Sequence, residues 1–145
     1  MLVTENNKKI YFNISGYEFP KERPSNEEYN FDANWLNCEI KYFEGDFNQV
    51  CIDPCLLTYE LEDLIFALSK ILDGTESEYN SMFMEPYLKI SIAKVEDKIR
   101  IVFKFMYATL SSPLRIWEVD SLLEKKYATE ILNELKELQK NYPQR

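Results

Sequence analysis

Glu60, Glu62 and Asp63 form the densest group of carboxylates in this 145-residue chain. Acids that close together are raw material for general acid–base chemistry or for holding a divalent cation. Asp46 and Asp53 make a looser second set, flanking the run 47–52. Neither set has the companions such chemistry needs. There is no histidine in the chain and no calcium-loop spacing with its glycine. Without histidine, Ser-His-Asp and Cys-His nucleophilic catalysis are both excluded. Cys51 and Cys55 are spaced loosely like a metal pair, but Cys38 is the one further cysteine, and a zinc site would need a carboxylate or water to complete it. Three cysteines suit buried thiols in a reducing compartment better than a disulfide framework. The expectation is no catalytic residue, no metal and no cofactor. Turns and a helix start account for these acids equally well, so solvated carboxylates or a binding face are what remain.

Charge is distributed unevenly. Residues 1–63 hold 13 acids and 5 bases, whereas residues 64–145 hold 12 of each, so the formal charge of −8 belongs to the first part. Between Lys41 and Lys89, ten carboxylates are interrupted only by Lys70. Such a one-sign field repels nucleic acid and acidic membranes and attracts basic partners. Lys89, Lys94, Lys98, Arg100 and Lys104 do not form a nucleic-acid groove with interleaved aromatics, and a solvated sheet face is the simpler reading.

The elements that must position these groups follow from apolar spacing. Ile10, Phe12 and Ile14 alternate with polar neighbours, as do Leu36, Cys38, Ile40 and Tyr42 after a Pro- and acid-rich loop at 20–30. Glu44-Gly45-Asp46 then turns the chain into 47–52, a hairpin expected to end at Asp53-Pro54. Thr58 is placed to cap a helix whose first turn carries Glu60, Glu62 and Asp63. Leu61, Leu64, Ile65, Leu68, Ile71 and Leu72 make its buried stripe, and Gly74 ends it. Phe66 falls on the opposite face beside Glu62, Lys70 and Asp73, with Tyr59 before it. Either a partner uses that outward face or a second element covers Phe66.

A short strand is expected at 82–84, then a hairpin of Leu88, Ile90 and Ile92 with Ile99, Ile101, Phe103 and Phe105 around Glu96-Asp97. A further strand at 115–119 leads to a long terminal helix capped by Asp120 or Ser121, with Tyr127, Ala128, Ile131, Leu135, Leu138 and Tyr142 on its apolar face and Pro143 as its stop. This order predicts an α+β fold: a mostly antiparallel sheet of about six or seven strands with one central and one C-terminal helix. The length suits one domain with a core that needs no disulfide or metal.

Three segments are more specific than composition. Gly16-Tyr17-Glu18-Phe19-Pro20 follows a predicted strand. Phe31-Asp32-Ala33-Asn34-Trp35-Leu36 opens the next, and Asp53-Pro54-Cys55-Leu56-Leu57-Thr58-Tyr59-Glu60-Leu61 leads into the helix. Together they resemble the WapI family of bacterial immunity proteins, over roughly residues 10–73 and more loosely beyond. Phe31 stands where the resemblance would put a tyrosine or tryptophan. The resemblance implies one immunity-protein-like domain over residues 1–145 that inactivates a toxin by tight complex formation.

Read physically, Tyr17, Pro20, Asp32, Asn34, Trp35, Asp53 and Pro54 are structural. Trp35 is large enough to anchor a core, Asp32 and Asn34 can satisfy backbone groups where a strand starts, and Asp53 can bond backbone on the approach to the helix. Direct toxin contact by Asp32 is the other reading.

The leading expectation is a non-enzymatic protein that binds a cognate, basic toxin, a nuclease being one such, through Tyr59, Glu60, Glu62, Asp63, Phe66 and Asp73. Nucleic acid and membranes are not expected partners. A small carboxylate- or metal-dependent enzyme is one alternative. Another is a homo-oligomeric scaffold in which the acidic helix face meets the Lys/Arg hairpin of a second copy. Residues 1–9 are polar, and the longest apolar runs, such as 64–68, fall far short of the ~20 residues needed to span a bilayer, so a cytoplasmic protein is expected.

Overall fold

Alternation and helical spacing place the elements, and the computed structural model describes them over residues 1–22, 30–109 and 112–145. The fold is α+β, with eight strands and three helices among the described residues. The first antiparallel sheet comprises β1 (Leu2–Glu5), β2 (Lys8–Tyr17), β3 (Trp35–Glu44) and β4 (Phe47–Leu57), paired in that order. The second comprises β5 (Glu78–Asn80), β6 (Leu88–Val95), β7 (Lys98–Thr109) and β8 (Ser112–Glu124), again in chain order. The expected sheet of six or seven strands is thus two sheets of four. Most of the acid-rich loop, residues 23–29, lies outside the described residues.

Period-two burial is faithful on the inner faces. Ile10, Phe12 and Ile14 of β2 and Leu36, Cys38, Ile40 and Tyr42 of β3 are buried, as are Leu88, Ile90 and Ile92 of β6 and Ile99, Ile101, Phe103 and Phe105 of β7. The hairpin turn at Glu96-Asp97 is present, with Glu96 at φ 56°. The two inner faces meet through Phe12 and Phe103, whose rings lie 5.8 Å apart. Trp117 of β8 is the central aromatic, stacked on Tyr42 at 5.6 Å and on Tyr107 at 5.0 Å. Trp35, expected to anchor the core, is only half-buried. At one side the sheets are tied laterally. Ser121 Oγ donates to Thr4 O at 2.6 Å, and Asp120 N donates to Glu5 Oε2 at 3.1 Å.

Helix α2 (Thr58–Asp73) buries Leu61, Leu64, Ile65, Leu68 and Ile71 and packs on α3 (Lys125–Asn141) and β6. Its end is as the sequence predicts: Gly74 is left-handed at φ 86°, and its N–H reaches Lys70 O at 3.1 Å. Helix α3 buries Ala128, Ile131 and Leu135, with Leu132 added, while Tyr127 is exposed.

Five local expectations are corrected. Strand β4 does not end at Asp53-Pro54 but runs to Leu57. Proline is tolerated there because β4 is the edge strand and its register slips opposite Leu36 and Asn37. Residues 82–84 are not a strand. Ser81 closes the ladder onto Ile90, Phe83 turns into the core, and Met84 N–H is taken by Glu60. Leu57, not Thr58, caps α2. Asp120 and Ser121 belong to β8, whose extra length moves the cap of α3 to Glu124. A short helix α1 (Phe31–Asn34) also precedes β3, where a strand start was expected.

Trp117 Nε1 is buried with no hydrogen-bond partner among the described residues, so the ring contributes by packing while its N–H is a cost. Trp117→Ala should therefore lower stability by about 3–5 kcal/mol, whereas Trp117→Phe should cost less than about 2 kcal/mol because it also removes the orphan donor. Urea unfolding of both variants checks this ordering.

Candidate partner-binding surface

A side-chain amide can offer two donors and two acceptor positions at once, and Asn34 uses all four. It is fully buried at the end of α1. Its Nδ2 donates to Asn30 O and to Arg145 O, each at 2.8 Å. Its Oδ1 accepts from Thr58 Oγ1 and from Arg145 N, also at 2.8 Å. The backbone partners fix which end of the amide is oxygen. Asn34 therefore joins the start of β3, the start of α2 and the last residues of the chain. Those residues are held a second time by the first motif. Tyr17 OH donates to Pro143 O at 2.5 Å, Tyr142 meets the Tyr17 ring edge-on, and the Arg145 guanidinium lies 4.3 Å from that ring's centre. Arg145 also reaches Pro20 O at 3.4 Å. The first two segments thus meet at residues 142–145, and the third joins them through Thr58 on Asn34.

Other motif positions serve local structure. Trp35 O accepts Glu18 N–H at 2.9 Å, closing the first motif on the second. Asp32 is exposed in the only turn of α1. Asp53 does not bond backbone before the helix as expected. Its Oδ1 accepts from Tyr87 OH at 2.6 Å, tying β4 to the start of β6. Burial and that bond push the Tyr87 phenol well above its ordinary range.

The acids at the start of α2 divide sharply. Glu60 is 3% exposed, with Oε2 on Leu57 N at 2.8 Å and Oε1 on Met84 N at 2.6 Å. It does not share the outward face with Glu62 and Asp63. Its role here is to close the helix start and pin the 81–87 segment against α2. Burial raises its pKa above the usual carboxylate range, against the lowering effect of those two backbone bonds. Glu62, Asp63 and Phe66 are exposed, Phe66 at 58% with Lys70 Nζ 5.3 Å from its ring centre. Glu62 and Asp63 enter no ion pair among the described residues. Tyr59 is half-buried. Asp73 is exposed at the far end, where Thr75 bonds its carboxylate and holds its pKa below the usual range.

Sequence spacing missed two residues beside this face. Met82 is 95% exposed and Met84 is also exposed, on the segment that Glu60 pins. Tyr79 lies at its base, pushed up to about 12 by burial and by nearby Asp63 and Glu60. The cue available in sequence was two methionines between a polar loop and Pro86, where a short strand is expected instead.

On the opposite sheet, Lys98, Arg100 and Lys104 carry cross-strand carboxylates from Glu124, Asp120 and Glu118. The hairpin cations are thus partly neutralised within the chain. Burial lifts the Cys51 thiol to about 11, and a bond with Cys38 together with burial raises Cys55, so neither is a ready nucleophile at neutral pH. Among the described residues no group of three or more histidines, cysteines or acids is placed to hold a metal, and no helix is long and apolar enough to cross a membrane.

The model of the Immunity protein WapI-like family matches residues 1–143. The chain belongs to this family. Searches among curated proteins and solved structures find no match. Membership in the WapI-like family supports an immunity role, points to binding rather than catalysis, and implies a cognate toxin as partner. The match runs far past the early motifs, through both sheets and α3.

Two outcomes are expected from this geometry. Asn34→Leu removes four hydrogen bonds at once, to Asn30, Thr58 and both backbone groups of Arg145, and should cost about 2–4 kcal/mol in urea unfolding, with faster hydrogen exchange at Arg145. Glu60→Gln sets an amide NH2 against a backbone N–H and should cost about 1–3 kcal/mol. Because the Glu60 pKa is raised in the folded state, that state binds the extra proton between the unfolded and folded pKa values. Stability from this group therefore falls as pH rises through that window, and the variant should lose that slope. Chemical denaturation at several pH values reads both.

Proposed function

We propose that this WapI-like protein neutralises its toxin by complex formation through the outward face of α2 and the adjoining 82–85 segment, acting as one domain. The observation that carries the reading is exposed apolar surface set among uncommitted acids. Phe66, Met82 and Met84 are exposed, while Glu62 and Asp63 flank Phe66 one helical turn away. Isolated exposed apolar residues need no explanation, but an exposed aromatic in mid-helix and two flexible thioethers on the segment held to that helix's first turn suit an adaptable interface. The acids around them suit a basic surface, such as the substrate groove of a nuclease toxin or a site beside it. Complementary charge would act on encounter, and the apolar side chains on residence time.

Glu62→Lys with Asp63→Lys should lower the association rate with the cognate toxin by roughly tenfold or more and flatten its salt dependence. Phe66→Ala should leave association nearly unchanged and speed dissociation by about tenfold, equivalent to about 1.4 kcal/mol. Surface plasmon resonance at two salt concentrations separates these effects. Unchanged kinetics in both variants would remove this face from the interface.

A further inference from the structure

Strand β4 carries a second kind of surface, along its edge. Among the described residues no strand pairs with the side of β4 that faces away from β3. Ladder parity tells which backbone groups lie there. Gly45 and Asp46 make a two-residue turn, so Glu44 and Phe47 are the hydrogen-bonded closing pair. By alternation, Tyr42–Gln49, Ile40–Cys51 and Cys38–Asp53 are also bonded pairs. Asn48, Val50 and Ile52 fall in the pairs between, so their N–H and C=O groups point to the open edge. Pro54, opposite Asn37, belongs to the same series, which is where a residue without an N–H is tolerated.

Natural edges are guarded by charge, proline or a bulge. Residues 47–52 read Phe-Asn-Gln-Val-Cys-Ile and carry no charge in a chain that is 29% charged. Val50 is 50% exposed and Ile52 is 62% exposed. The register shift in this pairing comes only beyond them, between Leu36 and Asn37. We propose that β4 pairs antiparallel with β4 of a second copy of this chain about a twofold axis at Val50, joining two four-stranded sheets into one.

The self-match of the strand is what selects a second copy as occupant. An axis at Val50 sets Val50 opposite itself and Asn48 opposite Ile52, all from the outward series, for about six backbone hydrogen bonds. Moving the axis to Ile52 would bring Pro54, which cannot donate, opposite Val50. Moving it to Asn48 would bring Ile52 opposite Glu44, beyond the turn. In the Val50 register Asp46 faces Pro54 and Asp53 faces Phe47, so no carboxylate opposes a carboxylate. None of these residues lies on α2, and the inference stands independently of the toxin-binding reading. Each copy carries −8, so added salt should strengthen this pairing. A helix-face-to-hairpin dimer driven by opposite charge would weaken instead.

Sedimentation over a range of protein concentrations tests it. The wild-type chain should show a dimer that grows with concentration and with salt. Val50→Lys combined with Ile52→Lys should weaken association at least about tenfold with an unchanged thermal melt, since both side chains are exposed. Gln49→Cys tests the register itself. It would face the partner's Cys51 in a non-bonded pair with Cα atoms about 4.5 Å apart, so mild oxidation should yield a covalent dimer that is lost when Cys51→Ser is added. A wild-type chain that remains monomeric at every concentration overturns the proposal, and so does a dimer indifferent to the lysine pair. A monomer whose lysine variant loses toxin binding also overturns it and assigns this edge to the toxin.

Discussion

A buried amide with every hydrogen-bonding position filled is the constraint from which the arrangement of this protein follows. Asn34 is wholly enclosed and satisfied by Asn30, Thr58 and both backbone groups of Arg145. In a low-dielectric setting such a set acts together, because losing one partner leaves another polar group stranded. It fixes three things that are far apart in sequence: where β3 starts, how α2 leaves β4, and where the chain lies after α3. Tyr17 repeats the last of these from a neighbouring strand through Pro143 and Arg145. The pose of α2, and with it the face it presents, depends on this junction.

Carboxylates in this protein divide into those that build and those that face solvent. Glu60 and Asp53 are committed internally, to backbone amides and to a phenol. Asp120 and Glu118 answer the cations of the second sheet. Glu62 and Asp63 have no such engagement in an ion pair among the described residues, and they carry part of the early negative bias to the surface, as exposed Asp32 and Asp46 also do. The bulk charge thus overstates the acidity of any one face, while the selection of Glu62 and Asp63 beside Phe66 makes it specific.

The two sheets share an aromatic core and differ at their borders. Trp117 between Tyr42 and Tyr107 joins their inner faces, and Ser121 and Asp120 fasten β8 to β1. The opposite border of the first sheet is β4, long, uncharged through its middle and without a neighbouring strand among the described residues. A fold that closes one side by side-chain hydrogen bonds and leaves the other without a paired strand among the described residues underlies both proposals, of a helix face and of a strand edge.

Local pattern alone determined the α+β class, the alternation of β2, β3, β6 and β7, the stripe of α2 and its glycine stop, because each rests on neighbours within a few residues. The three motif segments were also legible, and the family match over residues 1–143 agrees with the resemblance they carry. Tertiary structure decided the rest. A carboxylate in a helix's first turn reads the same whether it faces water or a backbone amide 24 residues away, so Glu60 could be separated from Glu62 only by the arrival of Met84. Trp35 and Trp117 are equally large, and only the approach of Tyr42 and Tyr107 made the second the core ring. Splitting eight strands into two sheets likewise depends on contacts such as Ser121 with Thr4, which bridge 117 positions and leave no periodic trace in the residues between.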